Sequence, residues 1–442
     1  MKKFSIILAL LILGALPDLS MAAIRHVRAG ASGNGSGSDW TNAYPSLPAS
    51  LVRGDTYYVA DGSYSSYTFD DSQNGAWIYI KKAIASDHGT STGWQSAYGD
   101  GVAVFGPLKF TTGSYEMDGQ VGGGPGRWTS GHGFKVQYTG TGNIVRIINV
   151  PTKVSTLTFK HMEMAFNPCS SCTGQDVFYG IYGGSNWKFQ YNWMHHPSRV
   201  VLYTMNEATN ILIEYTLLER SGTNGSSAQH SEIWSARDTH DVTFRYNYVR
   251  DYRSTGGIIM GRAKNWNLYG NVFQWTVDFG STSNNGAIGS WSSDSTYYAS
   301  NIKIHNNTFV GLRSGGAGRI FPIYKSISNV VASNNLWYDS PATTFGGGVS
   351  HSHNWFKNSN EGNISESTKQ VGGGDPFVSY SGKDFRLKAA TAAGSALASP
   401  FNLDVLGITR GSDGTWDRGA YEFGGTATTG TTPAAPTGLK VN

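Results

Sequence analysis

Short runs of alternating apolar residues recur through the middle of the chain, and each opens on Asn or Asp. They are "NWKFQYNWM" at 186, "NILIEYTLL" at 210, "DVTFRYNYV" at 241, "NWNLYGNVF" at 265, "NIKIHNNTF" at 301 and "NVVASNNLW" at 329, with weaker copies "TLTFKHMEM" at 156 and "GVSHSHNWF" at 348. Alternation over so few residues predicts strands. The seventh position holds Asn192, Thr216, Asn247, Asn271, Asn307, Asn335 and Asn354, at spacings of 24, 31, 24, 36, 28 and 19 residues. A period near 25 with short strands predicts a solenoid, and the uneven spacings predict insertions in its turns. The leucine consensus of a leucine-rich repeat is missing, and a propeller blade needs a longer period. A parallel β-helix fits best. The recurring Asn suits a tight bend because it tolerates left-handed backbone, and its amide can bond the next Asn about 4.8 Å above in a ladder.

Composition supports this all-β reading. The chain has 57 Gly, 24 Tyr, 20 Phe and 13 Trp among 442 residues, and only 14% charged residues. The start, "MKKFSIILALLILGALPDLSMAA", places two lysines before a short apolar run and small residues. This predicts a secretory signal peptide over residues 1–23, without a membrane-spanning helix, and hence a secreted or cell-surface protein. Without Lys2, Lys3 and Asp18 the balance is 32 basic against 29 acidic residues, or +3. So small a charge argues against nucleic acid as the main partner. Cys169 and Cys172 are the only cysteines. In an exported chain they predict a local disulfide. One domain is expected over 24–423, as a monomer. The Gly/Thr/Ala/Pro-rich stretch 424–442 is expected to be a flexible tail.

Three stretches resemble the exported bacterial right-handed parallel β-helix proteins with the pectin-lyase-like fold. They are "RHVRAGASGNGSGSDWTNAYPSLPASLVRGDTYYVADGSY" (25–64), the Asn repeats, and "DPFVSYSGKDFRLKAATAAGSALAS" with "WDRGAYEF" (375–423). The resemblance implies three strands per coil, with the Asn at the turn between the second and third. First strands are then expected at 176–182, 199–206, 231–237, 256–262, 287–293 and 319–325. This scaffold carries lyases, hydrolases, epimerases and adhesins, so it does not fix an activity.

Counting back about ten residues from each turn residue gives Asn206, Arg237, Arg262 and Lys325 at the exits of the first strands. Arg237 and Arg262 are expected on adjacent coils, about one strand spacing apart. Such a column suits the carboxylates of an acidic polysaccharide, since a guanidinium binds a carboxylate at two points. The alternative is that Glu232, Asp238 and Asp241 satisfy the arginines locally. The stretch from Ser231 through "MGR" (260–262) also resembles the site region of the chondroitinase B and alginate lyase family, which implies β-elimination. On that resemblance Glu232 matches a calcium-binding Glu, and Arg262 matches the catalytic Arg if one residue is deleted between the coils. Arg237 stands where the family has Lys, and His230 where it has a second calcium carboxylate. His230 or Tyr203 is then the candidate base. Trp234 and Trp291 are candidate sugar platforms among tryptophans that otherwise predict core. His195 and His196 precede Pro197 and predict a loop, while His351 and His353 predict a surface pair or a metal site. No pair of Asp residues keeps register, so hydrolysis ranks below elimination. The competing reading is a non-catalytic glycan-binding or surface scaffold protein.

Overall fold

The structure, a computed structural model, describes residues 22–222, 230–253, 255–278, 285–290, 296–322 and 326–425. The leader expected at 1–23 and the tail expected at 424–442 lie outside them except for 22–23 and 424–425. Among the described residues no helix is long and apolar enough to cross a membrane.

The chain winds as a right-handed parallel β-helix. First strands such as Asp176–Gly180 and Val200–Thr204 are followed by second strands such as Gly184–Gln190 and Ala208–Glu214. Third strands include Trp193–His195, Leu217–Glu219, Tyr248–Arg250 and Val272–Gln274. First and second strands join in one sheet, and third strands form another. In two successive coils the first and second strands run on without interruption, as Trp234–Arg245 and Ile258–Tyr269.

Inward positions fill a continuous core. Phe273, Phe309, Trp337 and Phe356 stack ring over ring, with centroids 5.0, 4.6 and 5.2 Å apart. Repeating an aromatic at one coil position places its neighbours one strand spacing away, within the range of offset stacking. Trp187, Trp266 and Trp337 belong to this core, as expected. Cys169 and Cys172 form the predicted disulfide.

The ladder forms at the bend between second and third strands. Asn247 Nδ2 donates to Asn271 Oδ1 (3.1 Å), Asn271 to Asn307 (2.9 Å), Asn307 to Asn335 (3.0 Å) and Asn335 to Asn354 (3.1 Å). Asn354 donates in turn to Glu366 Oε2 (3.0 Å), which ends the row. The left-handed residue is the one before the ladder position: Tyr191 (φ 57°), Tyr215 (49°), Tyr246 (57°), Asn306 (53°) and Asn334 (58°). The ladder Asn is therefore chosen for its amide, and backbone tolerance is not its task. The Asn or Asp that opens each repeat is itself left-handed and makes a second, outer ladder. Asn265 donates to Asp241 (2.7 Å), Asn301 to Asn265 (2.8 Å) and Asn329 to Asn301 (3.1 Å), and Asn210 bonds Asn186.

Candidate functional site

The outer face of the first strands carries alternating aromatic and guanidinium groups. Tyr179 lies opposite Tyr203 on the next coil, with ring centroids 5.7 Å apart. The Arg146 guanidinium sits 4.1 Å from the Tyr179 ring centre, and those of Arg199 and Arg237 sit 5.1 and 5.7 Å from Tyr203. Beneath them lies Asp176, fully buried. Arg199 grips it with Nε (2.7 Å) and Nη2 (2.5 Å), and Arg146 Nε reaches it at 2.9 Å. Burial pushes the Asp176 carboxyl up, against the pull of both guanidiniums. Arg199 is thus held in place by its ion pair. Arg146, Asp176, Tyr179 and Arg199 were missed in the sequence reading. Their signal was the tyrosine repeated at one offset in "DVFYGIY" and "RVVLYTMN".

Of the expected residues, Tyr203, His230, Glu232 and Arg237 meet on this face. The His230 side chain is 56% exposed, and its Nδ1 lies 3.8 Å from Glu232 Oε1. Burial, followed by the charges of Arg237 and Arg199, lowers its pKa, so the neutral imidazole persists to lower pH. Burial raises the Tyr203 hydroxyl, opposed by the same two arginines. Glu232 is wholly enclosed. Neither oxygen accepts a hydrogen bond within 3.5 Å, and burial pushes its carboxyl to about 7 against the charges of Arg199 and Arg237.

The structure corrects several expectations. Arg237 and Arg262 do not stack. Trp234 pairs with Ile258 and Asp238 with Arg262, so Gly261 stands opposite Arg237. A Cβ at Gly261 would lie 2.2 Å from the Arg237 carbonyl oxygen, which leaves no room for a side chain to continue the column. Arg262 is the next residue along the strand, and its Nη2 pairs with Asp238 (2.7 Å), which also meets His240 Nε2 (3.0 Å). Local pairing thus holds for Arg262, through Asp238. Asn206 is out of register too. It lies exposed in the connection 205–207 and donates to the Ile181 carbonyl (2.8 Å), between the pairs Thr204–Ala236 and Ala208–Thr239 that join its coil to the next. Trp234 is no sugar platform. It is fully buried, rests 4.7 Å from Trp266, and donates to Thr204 Oγ1 (2.9 Å). Glu232 falls opposite Val200 of the preceding coil, two residues before the Leu202–Trp234 pair. Lys325 and Trp291 lie outside the described residues.

The surroundings of Glu232 do not fit calcium. The charged groups acting on its carboxyl are two arginines, and its near neighbour His230 offers nitrogen, whereas calcium needs six to eight oxygens. Among the described residues no group of three or more His, Cys, Asp or Glu converges on a metal position. His351 bonds Glu366 (2.9 Å) at the ladder's end. His195 closes a third strand, against the loop expected there, with Nε2 3.3 Å from Glu163. His196 takes the bend that follows.

These features define a parallel β-helix with a cationic, aromatic face over its first strands. The chain is similar in fold to a solved pectate lyase, Pel9A, at a TM-score of 0.55 and 15% identity, covering 92% of this chain and 97% of that one. A lacto-N-biosidase from Eubacterium ramulus aligns at a TM-score of 0.33 and 9% identity, over 79% of this chain and 68% of that one. No family model and no curated protein matches the sequence.

Proposed function

We propose that the first-strand face binds an extended uronate-bearing polysaccharide and cleaves it by β-elimination. The observation that carries this is the exposed His230, held toward its neutral form, beside guanidiniums that flank the Tyr203 ring. In this reading Arg237 faces the uronate carboxylate and stabilises the enolate-like charge that develops there. His230 takes the proton from the carbon bearing the carboxylate. The electron pair forms the ring double bond, and the bond to the neighbouring glycosidic oxygen breaks. The Tyr203 hydroxyl, kept protonated by burial, gives its proton to that oxygen. Arg199 is committed to Asp176 and positions Tyr203. No step requires a metal. The likeness to a pectate lyase supports the scaffold, and the chemistry is argued from these side chains.

The test is incubation with polygalacturonate, alginate and chondroitin, with and without calcium, following the ultraviolet absorbance of unsaturated products. Product formation is expected without calcium. His230→Ala and Arg237→Ala should each lower kcat/KM by about 100-fold. Binding of the acidic polymers with no unsaturated product from any of them would sink elimination and leave a glycan-binding scaffold.

A further inference from the structure

The face formed by the third strands carries a second constellation that the first-strand site does not use. The loop 119–133, "GQVGGGPGRWTSGHG", leaves the coil after Tyr115–Asp118 and returns at Phe134–Tyr138. Between these points it lies along the outside of later coils. Gly123 (φ 76°) passes so close to the next surface that a Cβ would stand 2.0 Å from the Tyr191 carbonyl oxygen. This flattened path carries Trp128 to Tyr248, with ring centroids 5.8 Å apart at 66°. Tyr248 lies four strands along the sheet from Phe134–Tyr138, roughly 19 Å away at the spacing of paired strands. The C-terminal segment approaches from the other side and brings Lys383, Arg386 and Tyr421. Together with Arg250 they enclose a cavity of about 540 Å³.

The polar groups of this cavity divide into two sets. One set is fixed: Arg250 is held by Glu219, Arg386 by Asp384 (2.9 and 2.5 Å), and the Tyr248 hydroxyl by Gln274. The other set is open. Among the described residues the Trp128 indole N–H, the Tyr421 hydroxyl and the Lys383 ammonium meet no hydrogen-bond partner, and all three line the same space. Flat aromatic walls beside a few converging donors suit one pyranose ring, with its apolar face on an aromatic and its hydroxyls on the donors. Arg250 is offset by Glu219 and Arg386 by Asp384, which leaves the Lys383 ammonium as the uncompensated charge of the lining, so an acid group on the sugar is favoured.

The geometry points to a second, non-catalytic binding site here, for a single acidic hexopyranose unit of a glycan chain. It stands independently of the first-strand site. An extended polymer held on both faces would be bound by effective concentration as well as by direct contact.

Calorimetric titration of the full-length protein with trigalacturonate tests this. Trp128→Ala is expected to weaken one class of site by about tenfold or more, the scale of losing an aromatic wall. The double variant Lys383→Ala with Tyr421→Phe leaves the loop in place and should weaken the same class. Arg237→Ala should spare it, so failure of the first-strand reading and failure of this one give different titrations. Wild-type affinity in both cavity variants would overturn the proposal. So would loss in Trp128→Ala alone, which would make Trp128 only a loop anchor. Equal affinity for cellotriose, a neutral trisaccharide, would overturn the acidic class.

Discussion

Glu232→Gln should stabilise the protein, and only at neutral to alkaline pH. The wild-type carboxyl is wholly enclosed and titrates at about 7, against 4.5 for an ordinary glutamate. The folded state therefore keeps this proton to higher pH than the unfolded state does. Stability falls as pH rises from 4.5 through 7, and above that the full cost of a buried anion is present. The difference between the two values corresponds to about 3 kcal/mol at pH 8, and to almost nothing at pH 4. Glutamine has nearly the same shape and never ionises, so it escapes that cost. For a folded unit of about 400 residues the unfolding entropy is near 0.8 kcal/mol/K, which makes the gain about 4 °C in Tm. Melting both proteins at pH 4 and pH 8, at one scan rate, reads the difference. A Tm difference that is the same at both pH values would refute the reasoning, as would a Glu232→Gln protein that melts lower at pH 8.

Calcium should leave the Tm of the wild type unchanged at pH 8; a rise that Glu232→Gln abolishes would restore Glu232 as a metal ligand. The pH profile of kcat/KM on the best acidic polymer should rise through an apparent pKa below 6.5, because His230 must be neutral to accept a proton and its neighbours already lower it. Asn271→Ala should cost about 3–5 kcal/mol in urea denaturation, since its side chain donates to Phe244 O (2.9 Å) and Asn307 and accepts from Asn247, all buried. Trp234→Ala should cost a similar amount through the core while leaving the polysaccharide Kd of the folded protein unchanged; a Kd that rises tenfold would return Trp234 to the binding face.

The repeat was legible because the ladder and the strand that follows it are local, and each coil states them again. First strands were found within a few residues for the same reason: Asp176–Gly180 and Val200–Thr204 fall inside the expected 176–182 and 199–206. The site was harder, because its geometry depends on single-residue register. Counting ten back from Asn247 gives Arg237, and ten back from Asn271 gives Gly261, its true partner. Arg262 stands one residue further on, and a one-residue slip along a strand moves a side chain to its other face. Trp234 was misplaced because inward and outward positions look alike in a strand whose two faces are both covered. The Asp176 ion pairs were invisible because their partners come from three coils, 30 and 23 residues away in sequence.

The inner ladder has a direction. From Asn247 to Asn354 every amide donates toward the C-terminal end, so the side-chain dipoles align along the axis and their positive end points at the last coil. Glu366 receives that end with both oxygens, taking the Asn354 backbone N–H (2.7 Å) on one and its side-chain amide on the other. Burial alone would raise its carboxyl, but His351 and Asn354 outweigh burial and keep it below the usual glutamate range, hence charged. A carboxylate accepts but has nothing to donate, so the row cannot be passed on to another Asn. The stack thus carries its own stop signal, an anion set at the growing end of an aligned dipole chain.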